Sequence, residues 1–178
     1  MRSFMIACTL AILSACAAPG APVTTSALVA ADAATSLAVG ERLSWETSST
    51  QSGEGMDALV RATLRHADGR ALAFQEANHT PNDLTAQRPG GALAQIMGLP
   101  GEEAPTLYYA ETAAPSGAPF FCAPNGPAAI GRYEAADGTV LIVGMRQAIQ
   151  FETRPDGQLE SLPYSPDQVC ARLRFRRG

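Results

Sequence analysis

The sequence predicts a mainly β protein, with an α+β arrangement as the variant that carries more helix. The expected core is a single antiparallel sheet domain over residues 39–178. It reads as a sandwich or partly open barrel of about seven to nine strands built from hairpins. Three observations carry this. Apolar and polar residues alternate with period two in run after run. Three Asp-Gly turn signals, Ala67-Asp68-Gly69, Ala136-Asp137-Gly138 and Pro155-Asp156-Gly157, punctuate those runs. Pro (13) and Gly (16) are frequent, as a turn-rich β protein requires.

The strand signals begin at Arg42. Leu43, Trp45 and Thr47 alternate with Ser44 and Glu46, and Ser48 to Glu54 is a polar loop. Val60, Ala62 and Leu64 then alternate with Arg61, Thr63 and Arg65. Leu72 and Phe74 follow the first Asp-Gly turn, so the two runs form a hairpin. A two-residue loop would set Leu72 and Phe74 opposite Arg65 and Thr63. A three-residue loop sets them opposite Leu64 and Ala62, on one apolar face. The second register is expected, because a one-residue slip turns every side chain to the wrong face. It requires Gly69 at positive φ, closing a type I turn with a G1 bulge.

The other two turns separate Ile130–Tyr133 from Thr139–Val143 and Ala148–Thr153 from Leu159–Leu162. The flanks of the three turns share no pattern, so they are not a repeat. Val140-Leu141-Ile142-Val143 is apolar on both faces and reads as a strand covered on both sides. Val169 to Arg176 alternates cleanly. Ser165-Pro166-Asp167-Gln168 before it has the form of a capping box, which predicts one helical turn and then a strand.

Residues 80–105 break the β pattern. Thr80-Pro81-Asn82-Asp83 is a helix start and Arg88-Pro89-Gly90-Gly91 a stop. Leu93, Ile96 and Met97 then have helical spacing, ended by Gly98 and Pro100. One or two short helices are expected within residues 80–100.

The N-terminus carries an address. Arg2 is a minimal charged region, and Phe4 to Leu13 is an apolar run of signal-peptide length. It is half the roughly twenty residues a membrane-spanning helix needs. The run ends in Leu13-Ser14-Ala15-Cys16, which resembles a bacterial lipobox. The resemblance implies removal of residues 1–15, lipidation of Cys16, and a protein held at a bacterial membrane by its N-terminal lipid. Ala17 follows the cysteine where the inner-membrane retention rule of enteric bacteria wants Asp, so the resemblance implies the outer membrane, facing the periplasm. The alternative is ordinary cleavage after Ala17 or Ala18, giving a soluble periplasmic or secreted protein. Residues 16–38, rich in Ala, Ser and Thr and nearly uncharged, read as the lipidated cysteine and a flexible tether. The competing reading of this segment is a first strand or helix of the domain.

Two cysteines remain once Cys8 and Cys16 are assigned to the leader. Cys122 and Cys170 in an exported chain are expected to form one disulfide. A reactive thiol is the alternative, but Cys122 lies in the apolar run Phe120-Phe121-Cys122-Ala123 with no nearby His.

The formal charge of −4 excludes a general nucleic-acid or acidic-membrane binder. The only histidines, His66 and His79, fall about 30 Å apart along the expected hairpin at ~3.3 Å per residue and cannot share a metal. Each reads as a surface or loop His. The sequence contains no zinc-protease helix, P-loop, nucleophile elbow or C-x-x-C, so no metal, cofactor or catalytic residue is expected. Glu102-Glu103 reads as solvated loop charge. Arg172, Arg174, Arg176 and Arg177 read as a cationic stripe on the last strand, either for an anionic partner or as a solvated face. Trp45, Tyr108, Tyr109, Phe120 and Phe121 are candidates for a pocket lining or, more simply, for the core.

The expected role is a non-enzymatic binding or structural module of the cell envelope, meeting an envelope protein or a cell-wall component. Lysozyme-inhibitor lipoproteins are similar in layout (anchor, tether, small disulfide-pinned β domain) without shared motifs. The other readings are a carrier of a small apolar ligand, with residues 80–105 as a lid, and a hydrolytic enzyme of the envelope.

Overall fold

The computed structural model describes residues 22–31, 37–50, 58–111 and 117–178. Cys8, Cys16 and most of the leader lie outside them. Ten strands form: β1 Val23–Ala30, β2 Arg42–Thr50, β3 Leu59–His66, β4 Ala71–Glu76, β5 Thr106–Ala110, β6 Ala129–Glu134, β7 Thr139–Met145, β8 Phe151–Thr153, β9 Leu159–Ser161 and β10 Val169–Arg177. Two short helices, α1 Pro81–Gln87 and α2 Ala92–Met97, sit between β4 and β5.

Eight strands close into an antiparallel barrel in the order β1-β10-β7-β6-β5-β4-β3-β2, while β8 and β9 form a separate hairpin. Closure removes the sheet edges that a sandwich or open barrel would leave. The β3–β4 register is the expected one, with Ala62 opposite Phe74 and Leu64 opposite Leu72. All three Asp-Gly turns share one chemistry. Gly69, Gly138 and Gly157 take φ of 93°, 81° and 80°. Asp68, Asp137 and Asp156 each accept the backbone N–H two residues on, at 3.0, 2.8 and 3.0 Å.

The expectation for residues 16–38 needs correction. Val23–Ala30 is β1, paired along its length with β2 and at its end with β10. Only Leu28 and Ala30 of β1 are buried, so its sequence carries little apolar signal. If Cys16 bears lipid, six residues separate it from the barrel. Seven steps of chain reach at most about 25 Å.

There are two apolar cores. The inner one fills the barrel with Leu28, Leu64, Phe74, Ile130, Ile142 and Phe175, each at most 1% exposed. Each such side chain contributes about 1.5–3 kcal/mol. The outer core lies between the helices and the wall formed by β5, β6 and β7. Leu93, Ile96 and Met97 of α2 pack there with Leu107, Val143 and Met145. This explains why β7 is apolar on both faces. Gly131 makes the close approach possible: a Cβ there would lie 2.6 Å from Met97 Sδ and 2.8 Å from Leu93 Cδ1.

The helix ends follow the expected chemistry. Thr80 caps α1 by accepting Asp83 N–H, and Gly98 ends α2 in the left-handed region. Pro166–Gln168 is the expected single turn, of 3₁₀ type. Ser165 makes no side-chain cap there, so the capping box is not formed. No described helix is long and apolar enough to cross a membrane.

Candidate functional site

The barrel presents four places where chemistry could occur: its interior, its two ends and its outer wall. The interior is taken by side chains. Trp45, Tyr108, Phe120 and Phe121 are at most 5% exposed and belong to the inner core. Trp45 meets Tyr108 edge-on at 5.2 Å, and Phe120 packs on Phe121 at 5.5 Å. Tyr109 faces the helices instead, donating its hydroxyl proton to buried Asp83. Burial, with Asp83 adding to it, raises the Tyr109 pKa. Burial and then Glu76 do the same to Tyr108. Both hydroxyls therefore stay protonated donors.

One end is plugged. Residues 117–128 fold over it, placing Phe120 and Phe121 inside. Cys122 and Cys170 Sγ lie 1.95 Å apart, at disulfide distance. The bond seats over Gly144, where a Cβ would fall 2.6 Å from Cys122 Sγ. His66 at this end departs from the expected surface position. It is 7% exposed, with Nε2 2.9 Å from Glu41 and Nδ1 2.9 Å from Asp68, and its ring packs on Phe120. It ties the β3–β4 turn to the chain entering β2. Asp68 is held at a pKa of about 2, first by the Arg70 backbone N–H and then by the Arg70 and His66 side chains. The Ala38 N–H, followed by His66, lowers that of Glu41. His79 is on the far side of the hairpin with Gln75.

The other end holds an ion network that the sequence reading missed. Arg132 points inward beside Ile130, stacks over the Trp45 ring at 5.3 Å and pairs with Glu134 at 2.7 Å. Glu134 also pairs with Arg177 at 3.0 Å. The signal was present: Arg132 shares the parity of Ile130 in an alternating run. Arg132 Nε is buried and has no acceptor among the described residues.

The expected arginine stripe is therefore divided. Alternation along β10 buries Ala171, Leu173 and Phe175 and turns Arg172, Arg174 and Arg176 outward. Arg177 has the inward parity and belongs to the ion network. Arg172 is spent on structure, donating to the Ile96 and Met97 carbonyls at the end of α2. Those carbonyls have no partner within the helix, and a cation there is favourable. Arg174 and Arg176 also lie on the outer wall.

There they line a groove of about 510 Å³. Leu141 lies opposite Tyr133 on one side and Arg174 on the other, and Arg176 lies opposite Thr139. The end of α2, from Met97 to Leu99, forms the overhang. The result is two guanidinium groups beside an apolar floor and a phenol. The hydrogen bond to Glu103, followed by burial, raises the Tyr133 pKa.

A larger groove, about 1030 Å³, runs between the helices and the β8–β9 hairpin. Its two walls come from residues 85–96 and 149–168. No local pattern could have announced a site whose halves lie so far apart in sequence. No group of three metal-ligand side chains occurs among the described residues.

The outer wall of β2 and β3 carries Ser44, Glu46, Arg61, Thr63 and Arg65, with Arg65 3.3 Å from Glu46. Charges on a lipid-facing barrel wall cost about 2–4 kcal/mol each near mid-bilayer. Fold and site thus define a class: a small closed β-barrel with a filled interior and grooves on its outer wall. No protein-family model, curated protein or solved structure matches the chain.

Proposed function

We propose that the chain is a lipid-anchored, non-enzymatic binding module of the bacterial envelope. In this reading it is an outer-membrane lipoprotein facing the periplasm, and its outer wall recognises an acidic envelope partner, either a protein or a wall component. The observation that carries the reading is the Arg174–Arg176 groove. Outward Arg176, which lines this groove, can engage an anion with a bidentate fork. The adjacent Leu141 floor supplies the apolar contact that arginine-anchored interfaces use. A carrier of an apolar ligand would need room inside the barrel, where Trp45, Phe74 and the inner core stand. The Cys122–Cys170 bond fits an oxidising compartment.

The test has two parts. Cys16→Ser should move the protein from the membrane to the soluble envelope fraction; unchanged detergent partitioning refutes the anchor. Crosslinking in intact cells, read by mass spectrometry, should recover a partner with the native protein and lose it with Arg174→Glu/Arg176→Glu. An identical set of crosslinks in that variant refutes the site.

A further inference from the structure

We infer that the groove between the helices and the β8–β9 hairpin is a binding cleft for a carboxylate-bearing glycan strand of the cell wall. The inference rests on the envelope reading for the source of the glycan, but on this groove alone for its chemistry.

The lining is the reverse of an ordinary small-molecule pocket, which is mostly apolar with a few polar groups. Here four planar amides, Gln95, Gln150, Gln158 and Gln168, line the groove together with the charged Arg88, Glu152, Arg154 and Glu160. Each amide offers two donors and one carbonyl acceptor. A sugar hydroxyl is itself both donor and acceptor, so these amides match a polyol. An acyl chain would leave these groups unpaired, at about 1–3 kcal/mol each. Gln95 is already oriented, since its amide donates to the Gly90 carbonyl at 2.9 Å and leaves the side-chain oxygen available.

Beneath the amides lie Phe151 and Tyr164, both partly buried against the outer core. Aromatic faces in a wet groove suit the C–H faces of sugar rings, because an apolar body and a polar surround are presented together. The Tyr164 hydroxyl is buried, and no acceptor for its proton occurs among the described residues. Burial raises its pKa, so the hydroxyl stays protonated.

The charges then select among glycans. Arg154 is paired with Glu160 across the hairpin. Arg88, exposed at the end of α1, makes no ion pair among the described residues and lines the same groove. A neutral polysaccharide gives it no partner, whereas a carboxylate on the strand does.

The walls are held independently of any ligand. α2 is locked onto the barrel through Gly131, and Arg172 fixes its end. The hairpin leans on the outer core through Ile149 and Phe151. Little ordering is therefore required on binding, which favours measurable affinity for a ligand class that binds weakly per contact.

The experiment uses the full Cys16→Ser chain, oxidised, in co-sedimentation with purified insoluble sacculi. It is followed by titration with a soluble N-acetylglucosamine–N-acetylmuramic acid tetrasaccharide. The native groove should bind both. Arg88→Ala should weaken tetrasaccharide binding about tenfold or more, the scale of one charge-assisted hydrogen bond. Gln95→Ala/Gln150→Ala should weaken binding to sacculi and to tetrasaccharide alike, with unchanged thermal melts as the folding control. Arg65→Ala, on the outer wall of β3 away from both grooves, should bind as the native protein does. The proposal is overturned if the native chain fails to sediment with sacculi. It is equally overturned if the Arg88 and Gln variants bind at native strength. Loss of the membrane anchor in cells would defeat the envelope reading and leave this binding result intact.

Discussion

Replacing both Cys122 and Cys170 with Ala should cost about 4 kcal/mol. The two residues are 48 apart in sequence. The chain-entropy relation gives a loss of roughly 14 cal/mol/K for a loop of that length, or about 4 kcal/mol at room temperature. Local strain works in the opposite direction. Cys122 holds φ 56°, in the left-handed region that costs a non-glycine residue about 1–2 kcal/mol. The bond helps to hold that conformation and to keep Phe120 and Phe121 in the barrel end. With a urea slope of about 2 kcal/mol/M, the unfolding midpoint should fall by about 2 M. Urea titrations of oxidised native protein, reduced native protein and the double Ala variant provide the comparison. The reduced protein should lie near the variant, and neither thiol should label in the folded, unreduced protein. A variant within about 1 kcal/mol of the oxidised protein refutes the loop-closure argument, because that is far below the range native disulfides of this span contribute. Labelling of both thiols removes the bond itself.

Three other perturbations read different parts of the structure. Gly131→Ala places a Cβ against Met97 and Leu93 and should cost about 1–3 kcal/mol; hydrogen exchange should quicken in α2 before the barrel, and a native exchange pattern counts against the proposed seat. Arg172→Ala should cost about 1–2 kcal/mol by uncapping α2, read as a lowered thermal melt, and an unchanged melt counts against that role. Asp68 has its folded pKa depressed from 3.8 to about 2, so its contribution is present above pH 4 and lost as pH falls toward 2. Asp68→Asn should therefore flatten the acid limb of the stability profile between those values, and parallel limbs for the two proteins contradict the assignment.

The hairpins were legible because alternation and turn chemistry agreed. At Ala67-Asp68-Gly69 only one loop length kept Leu72 and Phe74 on the face of Leu64 and Ala62, and the register followed. Two strands escaped. β1 shows water its first residues and buries only Leu28 and Ala30, so Val-Thr-Thr-Ser-Ala reads as linker. β5 is five residues long, and its Leu107-Tyr108-Tyr109 run is apolar on both faces because one faces the barrel and the other the helices. Closure was invisible because it depends on β1 meeting β10. The arginine stripe was legible as residues but not as roles. Parity alone separated Arg177 from the others, and the location of the α2 carbonyls, set by tertiary packing, decided Arg172. The large groove joins segments more than fifty residues apart and left no local trace.

The pairing of β1 with β10 has a temporal consequence. Leu28 lies opposite Arg177, so the first strand to emerge is completed by the last. In a chain exported N-terminus first, β1 waits with one open edge until the final residues arrive. Such distant pairing makes folding slow relative to a protein of local contacts. The waiting edge is poorly suited to capture by another chain, because Val23–Ser26 is small and polar rather than apolar. A lipid at Cys16 would hold that unfinished strand within about 25 Å of its membrane. The barrel would then be assembled beside the bilayer, and any truncation near Arg177 would leave a tethered, open sheet.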